Sequence, residues 1–145
     1  MIVAKVIESG EGKAQGGVRV KAALGAAPAI GDPSLVERLA ANLVDNAIHH
    51  NRESGWVTAW TGVRDGRPTL EVENAGPVIR ADQIAGLMEP FRQIGGDRTG
   101  DRRGLGLGLS IVSAIAAAHG ADLNVKPRAD GGLSVAVSFL AARSF

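Results

Sequence analysis

Cysteine is absent from the 145 residues, aromatic side chains make up only 3%, and no apolar run approaches the roughly 20 residues of a membrane span. Each absence removes a class of function. Without cysteine there are no disulfides, no thiolate metal sites and no cysteine nucleophile, while compartment stays open and a cytoplasmic setting is compatible. With so few aromatics, the core has to be built mainly from Ala, Val, Leu and Ile. The opening Met1-Ile2-Val3-Ala4-Lys5 lacks the long apolar region of a signal peptide, so this piece is expected to be soluble. A formal net charge of +1, with no long basic block, gives no field of the kind a dedicated nucleic-acid binder carries. Internal repeats and low-complexity tracts are missing too. Residues 1–145 are expected to form one domain with one core.

What is present in quantity is glycine, 20 residues of it. Three stand at alternate positions in Arg103-Gly104-Leu105-Gly106-Leu107-Gly108-Leu109-Ser110-Ile111-Val112, just where an apolar helix begins. A helix N-terminus offers unpaired N–H groups and about half a positive charge, and glycine removes the Cβ that would hold a phosphate away. The run lacks the Gly-Lys-Ser/Thr ending of a P-loop, and its third glycine falls one residue too early for the dinucleotide fingerprint. It implies a different nucleotide fold.

The remaining segments are of both secondary-structure types. Gly17 to Leu24 alternates like a strand. Asp32-Pro33 starts a helix, with Asp32 as cap and Pro33 where a missing N–H costs nothing, and Leu35, Val36, Leu39, Leu43, Val44, Ala47 and Ile48 recur at helical spacing up to about His50. Trp56 to Thr61 and Thr69 to Glu73 read as antiparallel strands around the turn-like Arg64-Asp65-Gly66-Arg67-Pro68. Ala81 to Met88 suits a short helix, whereas Arg92 to Arg103 has no apolar period and is expected to be a mobile loop. A second helix runs from the glycines through Ile115 and Ala118 to His119-Gly120. Leu123 to Val125 and Leu133 to Phe139 close the pattern as strands joined by Arg128-Ala129-Asp130-Gly131-Gly132. The expected fold class is an α/β (α+β) two-layer sandwich, a mixed and mostly antiparallel sheet with helices on one face.

On the first helix Asn42, Asn46, His49 and His50 fall within about a 100° arc at one edge of the apolar stripe. Asparagine is a mediocre helix former, and burying its amide is costly unless it is bonded. An amide oxygen from Asn46 suits a hard Mg²⁺ ion that keeps most of its waters and bridges to phosphate. Trp56 and Trp60, sharing a strand face by period two, are expected in the core. His119, at a helix C-terminus, is explained by the helix dipole alone.

Taken together, Leu43 to Asn51, Glu73-Asn74-Ala75-Gly76-Pro77-Val78-Ile79, Glu89-Pro90-Phe91 and Gly104 to Gly108 resemble, in order and spacing, the N box, first glycine box, F box and second glycine box of the catalytic ATP-binding domain of two-component sensor histidine kinases. The match covers nearly the whole chain. The resemblance implies the Bergerat-type sandwich shared with DNA gyrase, ninety-kilodalton heat-shock chaperones and mismatch-repair proteins, with ATP and Mg²⁺ held between the long helix and a lid at about 92–103. By the same resemblance, Asn46 is the Mg²⁺ ligand and Asn42 the polar residue one turn earlier near the phosphates. His49 stands at a phosphate-touching position usually Lys or Arg, and His50 beside the nucleoside. Asn74 takes the place of the Asp that accepts from the adenine amino group, and Gly76 leaves room for the base, with Val78, Ile79 and Phe91 in the same boxes. Gly104, Leu105, Gly106, Leu107 and Gly108 make the phosphate-side hinge of the lid, from which Arg98 and Arg103 are expected to reach the γ-phosphate.

Two departures carry expectations. Asn74 accepts a neutral rather than a charge-assisted bond, predicting adenine binding weaker by roughly 1 kcal/mol. Val78 replaces a second glycine and is expected to narrow the base pocket or to need a different backbone angle. Histidine titrates near pH 6.5, so with His49 in place of Lys the affinity is expected to rise as pH falls towards that value.

The residue one turn before Asn46 separates the functions open to this superfamily. Where its ATPases carry a Glu able to orient water, this chain has Asn42, which is no general base; hydrolysis is disfavoured and phosphoryl transfer to a protein histidine, which needs mainly positioning and charge neutralisation, fits. The family's receiving histidine lies on a dimerisation hairpin N-terminal to this domain, and none is seen before Val18. The chain reads as the catalytic part of a longer, membrane-anchored kinase. It is expected to be monomeric, to bind ATP–Mg²⁺, to touch neither membrane nor nucleic acid, to serve a response regulator only indirectly, and not to phosphorylate itself. The alternatives are an anti-sigma-factor-type kinase acting on Ser or Thr of a separate protein, and a nucleotide-binding module without transfer activity.

Overall fold

The computed structural model describes residues 19–24, 31–49, 51, 54–80, 82–83 and 106–140. They form five strands and two helices: β1 (Arg19–Leu24), α1 (Pro33–His49), β2 (Trp56–Arg64), β3 (Arg67–Asn74), α2 (Gly106–Ala118), β4 (Asp122–Pro127) and β5 (Leu133–Ser138). The strand order is β1-β2-β3-β5-β4, and only the β1–β2 pair is parallel, as a strand–helix–strand crossover through α1 requires.

Local chemistry explains the elements. The Asp32 carboxylate accepts from the N–H groups of Ser34 and Leu35 at 2.9 and 3.3 Å, capping α1 immediately before Pro33. Asp65 and Gly66 alone connect β2 to β3, with φ of 53° and 75°, the left-handed pair that a two-residue hairpin of type I′ needs. The turn is therefore tighter than the five residues expected, and Arg67 and Pro68 already belong to β3, Pro68 opposite Val63. Arg80 N–H donates to Gln83 Oε1 at 2.9 Å, the glutamine half of a capping box, and Gln83 N–H donates to the Arg80 carbonyl where the short helix is expected to begin. Of the helix expected over 81–88, residues 81 and 84–88 lie outside the described residues.

The sheet turns one face to the helices. Cross-strand rows Ala59–Val72–Val135–Val125 and Thr61–Leu70–Val137–Leu123 run beneath them. Leu39, Leu43 and Val44 of α1 and Leu109, Val112 and Ile115 of α2 complete one aliphatic core with Phe139 as its buried aromatic ring. That arrangement bears out the two-layer expectation with helices packed together on one face.

Trp56 and Trp60 correct an expectation: both are half-buried on the opposite sheet face, outside the core. Period two assigns them to one face but does not say which face is inside, and the small residues Val57 and Ala59 between them point into the core. Their rings are covered by guanidinium groups, Arg128 over Trp56 and Arg64 over Trp60, each 4.6 Å from the ring centroid. The bond from Arg64 to the Glu71 carboxylate, with that group's negative charge, raises the guanidinium pKa further, so Arg64 stays charged over any working pH.

Candidate functional site

The site is assembled where the C-terminal half of α1 meets the end of β3. On α1 the buried stripe is Leu39, Ala40, Leu43, Val44, Asn46 and Ala47, so an amide, only 2% exposed, occupies a position where the helical period calls for an apolar residue. One turn earlier Asn42 is half-buried, yet its side-chain nitrogen is inaccessible to solvent and has no hydrogen-bond partner. Such an orphan donor costs about 1–3 kcal/mol, and native structures keep few of them. One turn of helix brings residues four apart to about 5–6 Å between Cβ atoms, so the two amides are neighbours. His49 follows in the last turn, exposed.

Asn51 fastens this helix end to the sheet. Its Nδ2 donates to the carbonyl of Ala47 at 3.2 Å and to that of Trp56 at 2.8 Å, and the Trp56 carbonyl also accepts from the N–H of Ala75 at 3.0 Å. A single carbonyl thus ties the end of α1 to the segment that leaves β3. Sequence reasoning had given Asn51 no role, although an asparagine just past the last helical residue is a recognisable C-terminal signal.

Asn74, 3% exposed, is the last residue of β3, paired with Val57. Its Nδ2 lies 2.8 Å from the Ala75 carbonyl. A carbonyl only accepts, so the amide nitrogen is fixed on that side and Oδ1, an acceptor, is turned to the other. The next residues also revise the expectation for Val78. It is 72% exposed and is not among the non-glycine residues with positive φ, so it takes a backbone angle ordinary for a side-chain-bearing residue. Ile79, 3% exposed, belongs to the aliphatic core.

The β4–β5 loop closes against this segment from below. Gly132 N–H donates to the Pro77 carbonyl at 2.9 Å, and the backbones approach so closely that a Cβ on Gly132 would lie 1.9 Å from the Asn74 oxygen and one on Gly131 2.2 Å from the Gly76 oxygen. Sequence reasoning took these glycines only as a hairpin connection; a Gly-Gly pair also signals close backbone approach.

On the other side α2, packed against α1, begins at Gly106, so Gly106, Leu107 and Gly108 form its first turn, whose N–H groups have no partner within the helix. His50, Phe91, Gly104, Leu105, Arg98, Arg103 and the rest of the expected lid at 92–103 lie outside the described residues.

His119 is more than a dipole partner. Its Nδ1 lies 2.9 Å from the Ile115 carbonyl and its Nε2 3.0 Å from the Asp32 N–H, so the proton sits on Nδ1 and the ring joins the end of α2 to the start of α1. The ring also meets Phe139 edge-on at 6.3 Å.

Comparisons with known proteins agree with this architecture. The sensor protein CutS of Streptomyces coelicolor is 44% identical over 123 residues, 84% of this chain and 30% of that protein. The sensor histidine kinase YkoH of Bacillus subtilis is 36% identical over 108 residues, 74% of this chain and 23% of its own length. Full-length ShkA, solved in complex with AMPPNP, superposes with a TM-score of 0.80 at 26% identity, covering 99% of this chain and 30% of that one. The chain thus spans less than a third of the length of the curated relatives it matches. The profile of the histidine kinase-, DNA gyrase B- and HSP90-like ATPases covers residues 31–143, and the chain belongs to that family.

Proposed function

We propose that this domain binds ATP with Mg²⁺ and transfers the γ-phosphoryl group to a histidine carried on the dimerisation hairpin of a two-component sensor kinase. The observation that carries the reading is the buried, unpartnered Asn42 nitrogen, one turn from the buried Asn46 amide. Asparagine at the margin of an apolar stripe is costly to keep, and its neutral amide carries both a donor suited to phosphate oxygen and an acceptor suited to Mg²⁺. An amide at that position has no basicity with which to activate water, which favours transfer over hydrolysis.

The residues fit the ligands by chemistry. The Asn46 side-chain oxygen is a hard ligand for Mg²⁺, an ion that takes few protein ligands beside water and phosphate. When bound, Mg²⁺ neutralises charge between the phosphate groups. Asn74 Oδ1 accepts from the adenine amino group, and the first turn of α2 offers N–H groups that have no partner within the helix to phosphate. His49, exposed in the last turn of α1, lies at the rim. In the transfer, a ring nitrogen of the receiving histidine bonds to the γ-phosphorus, the bond from phosphorus to the bridging oxygen breaks, and ADP leaves with that electron pair. The proton lost by the imidazole goes to a base beside it, outside this domain. This chain holds and orients the nucleotide. The complex of ShkA with AMPPNP and the histidine-kinase relative support the reading.

The experiment is to mix the domain, a separately expressed dimerisation hairpin and γ-labelled ATP–Mg²⁺. Acid-labile label on the hairpin is expected. Label on serine or threonine, or steady ADP release without labelled protein, would overturn it.

A further inference from the structure

Arg128 lies outside every box that the resemblance identified, yet it makes a connected set of contacts beneath the Asn74–Pro77 segment. Its backbone N–H donates to the Gly132 carbonyl at 3.0 Å, and its carbonyl accepts from Gly131 N–H at 3.0 Å. Its guanidinium donates to the Gly131 carbonyl at 3.1 Å, meets the Glu73 carboxylate at 3.5 Å and lies over the Trp56 ring. Each of these partners leads to the base-reading segment. Gly131 and Gly132 touch the carbonyls of Gly76 and Asn74, Glu73 precedes Asn74 in β3, and the Trp56 carbonyl accepts from Ala75.

We infer that Arg128, through the Gly131–Gly132 turn, is a positioning residue that sets the place of Asn74 and so governs discrimination between adenine and guanine. The inference rests on the nucleotide reading above. Gly131 and Gly132, with φ of 105° and 87°, stand in a conformation that side chains rarely adopt, and the close approach they permit is useful only if the turn is held in register. A guanidinium can donate to the Gly131 carbonyl and pair with the Glu73 carboxylate while lying over an indole; lysine keeps the charge and loses the fork. If the turn loosens, Asn74 Oδ1 loses alignment with the adenine amino group, and its repulsion of the guanine carbonyl oxygen weakens by the same motion. Affinity for adenine and discrimination therefore fall together.

The test is to titrate the wild type, Arg128→Ala and Arg128→Lys with ADP and GDP in Mg²⁺, and to measure thermal unfolding of each. Arg128→Ala is expected to weaken ADP about tenfold and to shrink the ADP-to-GDP ratio by a similar factor. Arg128→Lys is expected to recover most of the thermal stability through Glu73 but not the ratio. A ratio within twofold of wild type in Arg128→Ala, whatever its melting temperature, would make Arg128 a structural residue only and overturn the inference. If Arg128→Ala does not fold, an unchanged ratio in Arg128→Lys overturns it equally. No ADP binding by the wild type would overturn the nucleotide reading and this inference with it, whereas wild-type binding with an unchanged ratio in the variants overturns this inference alone.

Discussion

Asn74 illustrates how one atom pair alters the meaning of a substitution. By the resemblance alone it is a simple loss, a neutral acceptor in place of a carboxylate. The bond from its amide nitrogen to the Ala75 carbonyl adds a local role that aspartate could not fill. Asn74→Asp is therefore expected to act in two directions. The free protein should melt several degrees lower, because a buried carboxylate would face a carbonyl oxygen at 2.8 Å, while the upward shift of melting temperature on saturation with ADP should grow. Differential scanning fluorimetry with and without ADP checks both signs. His119 is the other residue whose role the sequence concealed, because its partner Asp32 is 87 positions away. His119→Ala removes both ring bonds and the contact with Phe139, and should cost about 1–2 kcal/mol, read as a melting temperature about 3–6 °C lower. ADP affinity should be unchanged, since the contact lies at the opposite end of α1 from Asn46.

At the scale of elements, what was legible was what is coded locally. The Asp32 cap, the apolar period of α1 and the Asp65-Gly66 turn all act within a few residues, and the structure has them where the chain announces them. Signals that depend on partners were not legible. The parallel pairing of β1 with β2 follows only once α1 packs across the sheet, and the outer placing of the tryptophans was not legible because period two does not say which face is inside, and Arg128, which covers Trp56, lies far along the chain. Arg67 is a third instance. Its guanidinium donates to the carbonyls of Phe139 and Ser138 at 3.1 and 2.9 Å and pairs with Asp122, drawing β3, β5 and β4 together at the end of the sheet away from Asn74. Arg67→Ala is expected to cost about 2 kcal/mol, mostly by leaving those carbonyls without a donor, and chemical denaturation would register it as a lower midpoint at unchanged slope. A loss below 0.5 kcal/mol would mean that water replaces the arginine.

For the whole molecule, the aliphatic core between two helices and one sheet face holds α1 so that a polar edge can be kept at the margin of an apolar layer. The order of four motifs along the chain made family and fold legible together, and the comparisons bear both out. The details of the site were less legible, because the worth of Gly131 and Gly132 lies in the Asn74–Pro77 backbone that the fold brings to them. Among the described residues no helix is long and apolar enough to cross a membrane, and no group of three acidic, histidine or cysteine side chains gathers to hold a metal. On the proposed reading Asn46 supplies one hard oxygen to Mg²⁺, which shares its coordination with phosphate and water, so metal and nucleotide should bind as one unit. Calorimetric titration of wild type and Asn46→Ala with ADP, each with and without Mg²⁺, tests that claim most directly. The account predicts wild-type binding strengthened at least tenfold by Mg²⁺ and loss of that enhancement in a folded Asn46→Ala. Equal enhancement in the variant, or wild-type affinity indifferent to Mg²⁺, would contradict it.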